Sequence, residues 1–282
     1  MSSRKKNRRA ISDLSFWQRV KLLLGLLIVV VFIVGMLEPI AQDPTYHLFA
    51  DQRSFFGISN FNDVVSNIGF AAVGALGLLA VAGARRREIF VHSSDARPYL
   101  VFFLGIALIS LGSVYYHLEP SNERLFWDRL PMSMGFMAIS SAVVADRVDA
   151  RAGSGWLLVA LLAMGAASLI YWDWTESQGR GDLRPYAMVQ FYPMVAMPLI
   201  IGLFPRHHYT LGRFLAWAIL WYGLSKVFEY FDHEVFGFLG HTVSGHTLKH
   251  LTAAIATFVV LRMLLSTKAR SKKIGLNHRG VL

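Results

Sequence analysis

Eight apolar stretches organise this chain: Val20 to Met36, Val64 to Gly83, Tyr99 to Tyr116, Leu130 to Val144, Gly155 to Tyr171, Tyr186 to Phe204, Phe214 to Phe228 and Leu248 to Leu265. Most are near the ~20 residues that a helix needs to cross a bilayer. The chain therefore reads as an all-α integral membrane protein with eight spans. The fourth and seventh stretches are short and carry polar residues, which leaves a count of seven open. Composition agrees, because 54% of the 282 residues are hydrophobic and 16% charged, whereas an ordinary soluble domain is about 25% charged. No internal repeat, low-complexity linker or soluble domain interrupts the pattern. The sequence has no cysteine, so a bound transition metal has to be held by histidine, carboxylate, hydroxyl or water.

Charge sets the expected orientation. Basic segments fall on alternate connections: Arg4 to Arg9, Arg85 to Arg87, Arg147 to Arg151, Arg206 to Arg213 and Lys268 to Lys273. The positive-inside rule puts them all in the cytoplasm, with both termini there and an even number of spans. They account for much of the net charge of +10. Nucleic-acid binding, the other reading of such clusters, is set aside. The opposite connections, Glu38 to Asn62, His117 to Arg129, Asp173 to Pro185 and Glu229 to His246, hold most of the loop acids and histidines. Chemistry is expected at that outer side, where Trp127, Trp172, Trp174 and Tyr186 read mainly as interface anchors. The first stretch follows a basic start, but its apolar run outlasts the roughly 7 to 15 residues of a signal-peptide core and no cleavage site follows. It reads as a retained anchor, and with the lack of cysteine it suits a bacterial inner membrane.

Ionisable side chains inside apolar helices are rare and usually functional. His246 and His250 are four residues apart at the start of the last stretch, so on a helix they share one face with Cβ atoms about 5–6 Å apart. His117 ends the third stretch at the same membrane face. Three histidines with an open position make a catalytic zinc sphere. Ser113 lies one turn deeper than His117 on the same face, where its hydroxyl is expected to donate to an oxyanion or orient a water. Asp128, at the opening of the fourth stretch, is the candidate general base, with a helix N-cap or a pair with Arg129 as its ordinary alternatives.

These residues carry a family resemblance. Asp63-Val64-Val65-Ser66-Asn67, Gly112-Ser113-Val114-Tyr115-Tyr116-His117, Trp127-Asp128-Arg129-Leu130-Pro131 and Gly245-His246-Thr247-Leu248-Lys249-His250 occur in that order. The set resembles the alkaline ceramidase family, and more broadly the membrane hydrolase superfamily that includes the adiponectin-receptor-like proteins, across roughly Asn60 to Leu265. The resemblance implies a seven-helix core with zinc on His117, His246 and His250, Ser113 and Asp128 beside it, and hydrolysis of a ceramide amide. It divides the chain into a basic tail at 1–18, an added anchor and outer loop at 19–59, the core at 60–266 and a second basic tail at 267–282. The calcium-binding acidic stretch of characterised ceramidases is reduced here to Asp51, Asn60 and Asp63, a weak basis for a calcium site.

The expected activity is thus a zinc-dependent amidase acting on a ceramide-like membrane lipid, with the bilayer as its other partner. Two alternatives stay open: a receptor of the adiponectin-receptor type sharing the metal core, and a transporter relaying protons through His and Asp. Weaker candidates are Glu229, Asp232, His233 and His241 in the last connection, expected as a lid or outer support and not as ligands. Tyr186 and Tyr192 are placed within reach of a substrate carbonyl, and Ser66 and Asn67 are expected to bond between helices.

Overall fold

The computed structural model describes residues 14–86 and 88–267. The basic segments Arg4 to Arg9 and Lys268 to Lys273, together with Arg87, lie outside them. Every regular element among the described residues is helical. In chain order these are α1 (Phe16–Met36), α2 (Phe61–Val65), α3 (Ile68–Arg86), α4 (Ala96–Leu118), α5 (Asn122–Arg147), α6 (Ala150–Gly153), α7 (Trp156–Ser177), α8 (Arg184–Leu203), α9 (Gly212–Tyr230), α10 (Asp232–Phe238) and α11 (Gly245–Ser266). The chain is a multi-pass helical membrane protein. Among the described residues six helical segments are long and apolar enough to cross a bilayer: α1, α2 with α3, α4, α7, α8 and α11. The two remaining long helices, α5 and α9, correspond to the short polar stretches of the sequence. Asp128 and Arg129 on α5, and Lys226 and Glu229 on α9, make them less apolar.

The helices exceed the apolar stretches that announced them. Ser121 accepts from Arg124 N and starts α5 at Asn122, so the expected excursion from His117 to Arg129 shrinks to a tight link. Asp128 consequently lies inside the helix and caps nothing. The second stretch is broken where one span was expected. Asn67 N bonds Val64 O, while the Ser66 hydroxyl and the Asn67 amide both donate to Asp63 O. Side chains thus take the carbonyl that the next helical N–H would have used. Asn67 bonds within its own segment, contrary to the expected interhelical role.

Packing tightens at glycines. A Cβ on Gly112 would collide with the Trp127 carbonyl and stand 3.2 Å from Asp128 Cα, so only glycine lets α4 approach α5 this closely. Pro131 removes the N–H that would have bonded that same Trp127 carbonyl four residues earlier. A Cβ on Gly245 would collide with the Phe228 carbonyl and meet Asp232 Cα at 2.7 Å, which seats the start of α11 against the end of α9 and the start of α10. At the opposite end of the bundle, Asp146 accepts from the backbone N–H groups of His208, Tyr209 and Thr210. Arg147 there donates to Thr210 and Phe204. That buried arginine ties the end of α5 to the connection between α8 and α9.

Candidate metal centre

Helices α4 and α11 bring His117, His246 and His250 together. One ligand atom from each lies within 4.8 Å of the others. The ring centroids are 4.8, 4.9 and 4.9 Å apart, with every pair of rings near perpendicular. All three side chains are buried, and both His117 nitrogens lack a hydrogen-bond partner. An unsatisfied buried polar atom costs about 1–3 kcal/mol, so an imidazole with two such atoms, facing two others, fits a metal ligand. The cluster can hold a metal ion.

The surrounding groups orient these rings, as supports of metal-ligating histidines do. His250 Nδ1 lies 2.8 Å from Ser66 Oγ, whose own proton goes to Asp63 O. The hydrogen-bond network therefore assigns the proton of His250 to Nδ1 and leaves Nε2 with the free lone pair. Asn60, in the left-handed conformation at φ 47°, donates to the His117 carbonyl at 2.8 Å and fixes the end of α4. Asp232 accepts from His246 N at 2.6 Å and from Ala50 N at 2.9 Å. It ties the first turn of α11 to the outer loop.

Ser113 and Asp128 meet beside the histidines. Both are buried, and both line the cleft that also reaches His250. Glu229 is not in a loop, as expected, but in the last turn of α9, where it binds Lys226 and Lys249 at 2.6 Å each and accepts from Tyr46 OH at 2.8 Å. Lys249 Nζ also lies 3.3 Å from His246 Nε2. An ammonium between two ligand histidines, inside an apolar run, was a signal in the sequence that the motif reading passed over.

A segment with no motif in the sequence covers the centre. The outer strap Gln42 to Arg53 lays Phe49 over His117 and His246, its ring 4.6 Å from each. His47 bridges Tyr116 OH at 2.9 Å and Asn122 Oδ1 at 3.0 Å. Burial, and then the nearby Glu229 carboxylate, push the Tyr46 phenol well above its usual range. Asp51, buried but bonded by Arg53 and Asn62, titrates below the ordinary carboxylate range. Its carboxylate is thereby occupied. Asp63 Oδ1 accepts from Thr247 at 2.6 Å while its Oδ2 has no partner.

Two expected anchors turn out to be core. Trp172 and Tyr186 are buried with Tyr46 around the Arg129 guanidinium, at 4.7, 5.1 and 5.6 Å, because a guanidinium with no carboxylate partner is compensated by aromatic faces. Trp127 and Trp174 remain half exposed, as anchors are. His233 bonds Leu48 O, and His241 packs on Phe236.

Below the centre runs a cleft of about 120 Å³. Ser113, Asp128, Lys249 and His250 line its polar head, and Ile106, Ile139, Met194, Met197 and Val260 are among its apolar walls. Neither Tyr186 nor Tyr192 lines it. Tyr222 of α9 reaches across to Gln190 of α8 at 2.6 Å. Compared with protein-family profiles, curated proteins and solved structures, the chain matches none.

Proposed function

We propose that this protein is a zinc-dependent amidase of the alkaline ceramidase type, cleaving the amide of a ceramide-like lipid within the membrane. One observation carries the reading: three buried imidazoles converge beside buried Asp128 and Ser113 at the head of an apolar cleft. A lipid amide needs such a combination, with polar chemistry at one end and a dry channel for an acyl chain at the other. The donor set, three neutral imidazoles and no thiolate, suits zinc with one position left open.

When bound, zinc lowers the pKa of a water to ~7 and polarises a carbonyl. Asp128 takes the proton of the attacking water and returns it to the departing amine. Ser113, at the same head of the cleft, donates to the oxyanion or orients the water. Phe49 and the strap keep bulk water off the histidines from the outer side, and the cleft keeps the acyl chain in apolar surroundings. In this reading α5 and α9 cross the membrane with the six more apolar segments, giving eight spans, with both termini in the cytoplasm and the centre towards the outer face.

Elemental analysis of the purified protein, alongside fatty-acid release from a panel of lipid amides, tests the proposal. Stoichiometric zinc with turnover is expected. Zinc without turnover on any amide moves the reading to a receptor of the adiponectin-receptor type. Ion flux in proteoliposomes without zinc moves it to a transporter.

A further inference from the structure

Two ammonium groups at the head of the cleft are not used by that chemistry. Lys226 and Lys249 both line the cleft, whereas Glu229, which pairs with each, does not. One carboxylate therefore sits behind two cations. Each ammonium has three donors, and the lysine contacts at the head include Glu229 for both and His246 for Lys249. The neighbourhood is also rich in cations. Lys226 and Lys249 line the cleft together, and Asp128 is the one carboxylate in that lining. Asp63 and Asp232, hydrogen-bonded to Ser244 and Thr247 and to the N–H groups of Ala50 and His246, do not line the cleft.

A neutral diol headgroup gives such a site nothing to match. Buried cations are stabilised by a hydrogen-bonded anion, and leaving one uncompensated is costly. The geometry points to an amide lipid that carries an anionic group, a carboxylate or a phosphate, on the amine side of the scissile bond, received by Lys226 and Lys249. This rests on the amidase reading and narrows its substrate. The acyl chain lies along Ile106, Ile139 and Val260, and the amide stands at Asp128. Water adds to the carbonyl carbon, the C–N bond breaks, and the amine nitrogen takes the proton held by Asp128. The products are a fatty acid and an amine that still carries its anion.

The test uses the full-length zinc-loaded protein and four probes: N-palmitoylglycine, a phosphorylated ceramide, ceramide and N-palmitoylethanolamine. The anionic probes should be preferred in kcat/KM by about ten- to a hundredfold, the factor carried by one charge-assisted hydrogen bond. Which of the two leads tells carboxylate from phosphate. Lys226→Met should bring the ratio of anionic to neutral substrates towards one. Equal or better cleavage of the neutral amides by the parent protein overturns the inference and leaves the amidase reading intact. Thermal stabilisation of the parent protein by each probe needs neither turnover nor a folded variant. Stronger stabilisation by the anionic probes supports anion recognition even if no amide is cleaved, and equal stabilisation overturns it.

Discussion

In the amidase reading, the three histidines and Asp128 have separate tasks that single substitutions tell apart. Alanine at His117, His246 or His250 is expected to remove the metal, because each supplies one of the three imidazoles that, among the described residues, lie within reach of a common ion. Asp128→Asn is expected to retain the metal and lose turnover by about 100- to 10,000-fold, the range of a general base. Metal content and amide release on the same preparations check both, and an active Asp128→Asn protein removes that residue from the mechanism. Gly112 matters for a different reason. Its Cα lies against the backbone of Trp127, which has nowhere to yield, so Gly112→Val should destabilise the fold by about 1–3 kcal/mol or more through overpacking. A thermal midpoint unchanged from the parent would contradict that account.

At the scale of elements, the strap from Gln42 to Arg53 decides how the centre meets the outside. Phe49→Ala should leave the histidines in place and speed metal loss to a membrane-impermeant chelator, since the ring is what covers His117 and His246. An unchanged loss rate would mean that the strap is not the barrier. The strap also carries a pH signature through Asp51. Its folded carboxyl titrates below the ordinary ~3.9, so its contribution is complete above about pH 4 and fades as pH falls through the depressed folded value. The thermal-midpoint difference between the parent and Asp51→Asn should therefore be largest near neutral pH and vanish in acid. A difference that grew on acidification would reverse the assignment.

The whole molecule poses two questions that its architecture answers in testable form. The cleft between α4, α5, α8, α9 and α11 should set acyl-chain length. Ile139→Trp or Met197→Trp is expected to depress cleavage of long-chain amides while sparing short-chain ones, read from chain-length profiles of KM. Topology is accessible because the native chain lacks cysteine. Single cysteines at Phe56 and His207, both exposed and at opposite ends of the bundle, should react with an impermeant thiol reagent from opposite faces of sealed vesicles.

Sequence alone determined the class of the chain and the core of its centre. Apolar length dictates membrane helices, and a helix repeats near every fourth residue, so His246 with His250 and Ser113 with His117 could be placed on shared faces without coordinates. That local periodicity says nothing of partners from other elements. Ser66 reaches His250 across 184 positions of chain, and Asn60 reaches the His117 carbonyl across 57. Phe49, Asp232, the Lys226–Glu229–Lys249 group and the aromatic cage of Arg129 likewise took their places only when the helices closed. Their residue types are ordinary in loops and helix ends. What makes them functional is the company that long-range packing brings, and hydrophobic burial, being non-directional, does not write that company into any short stretch of sequence.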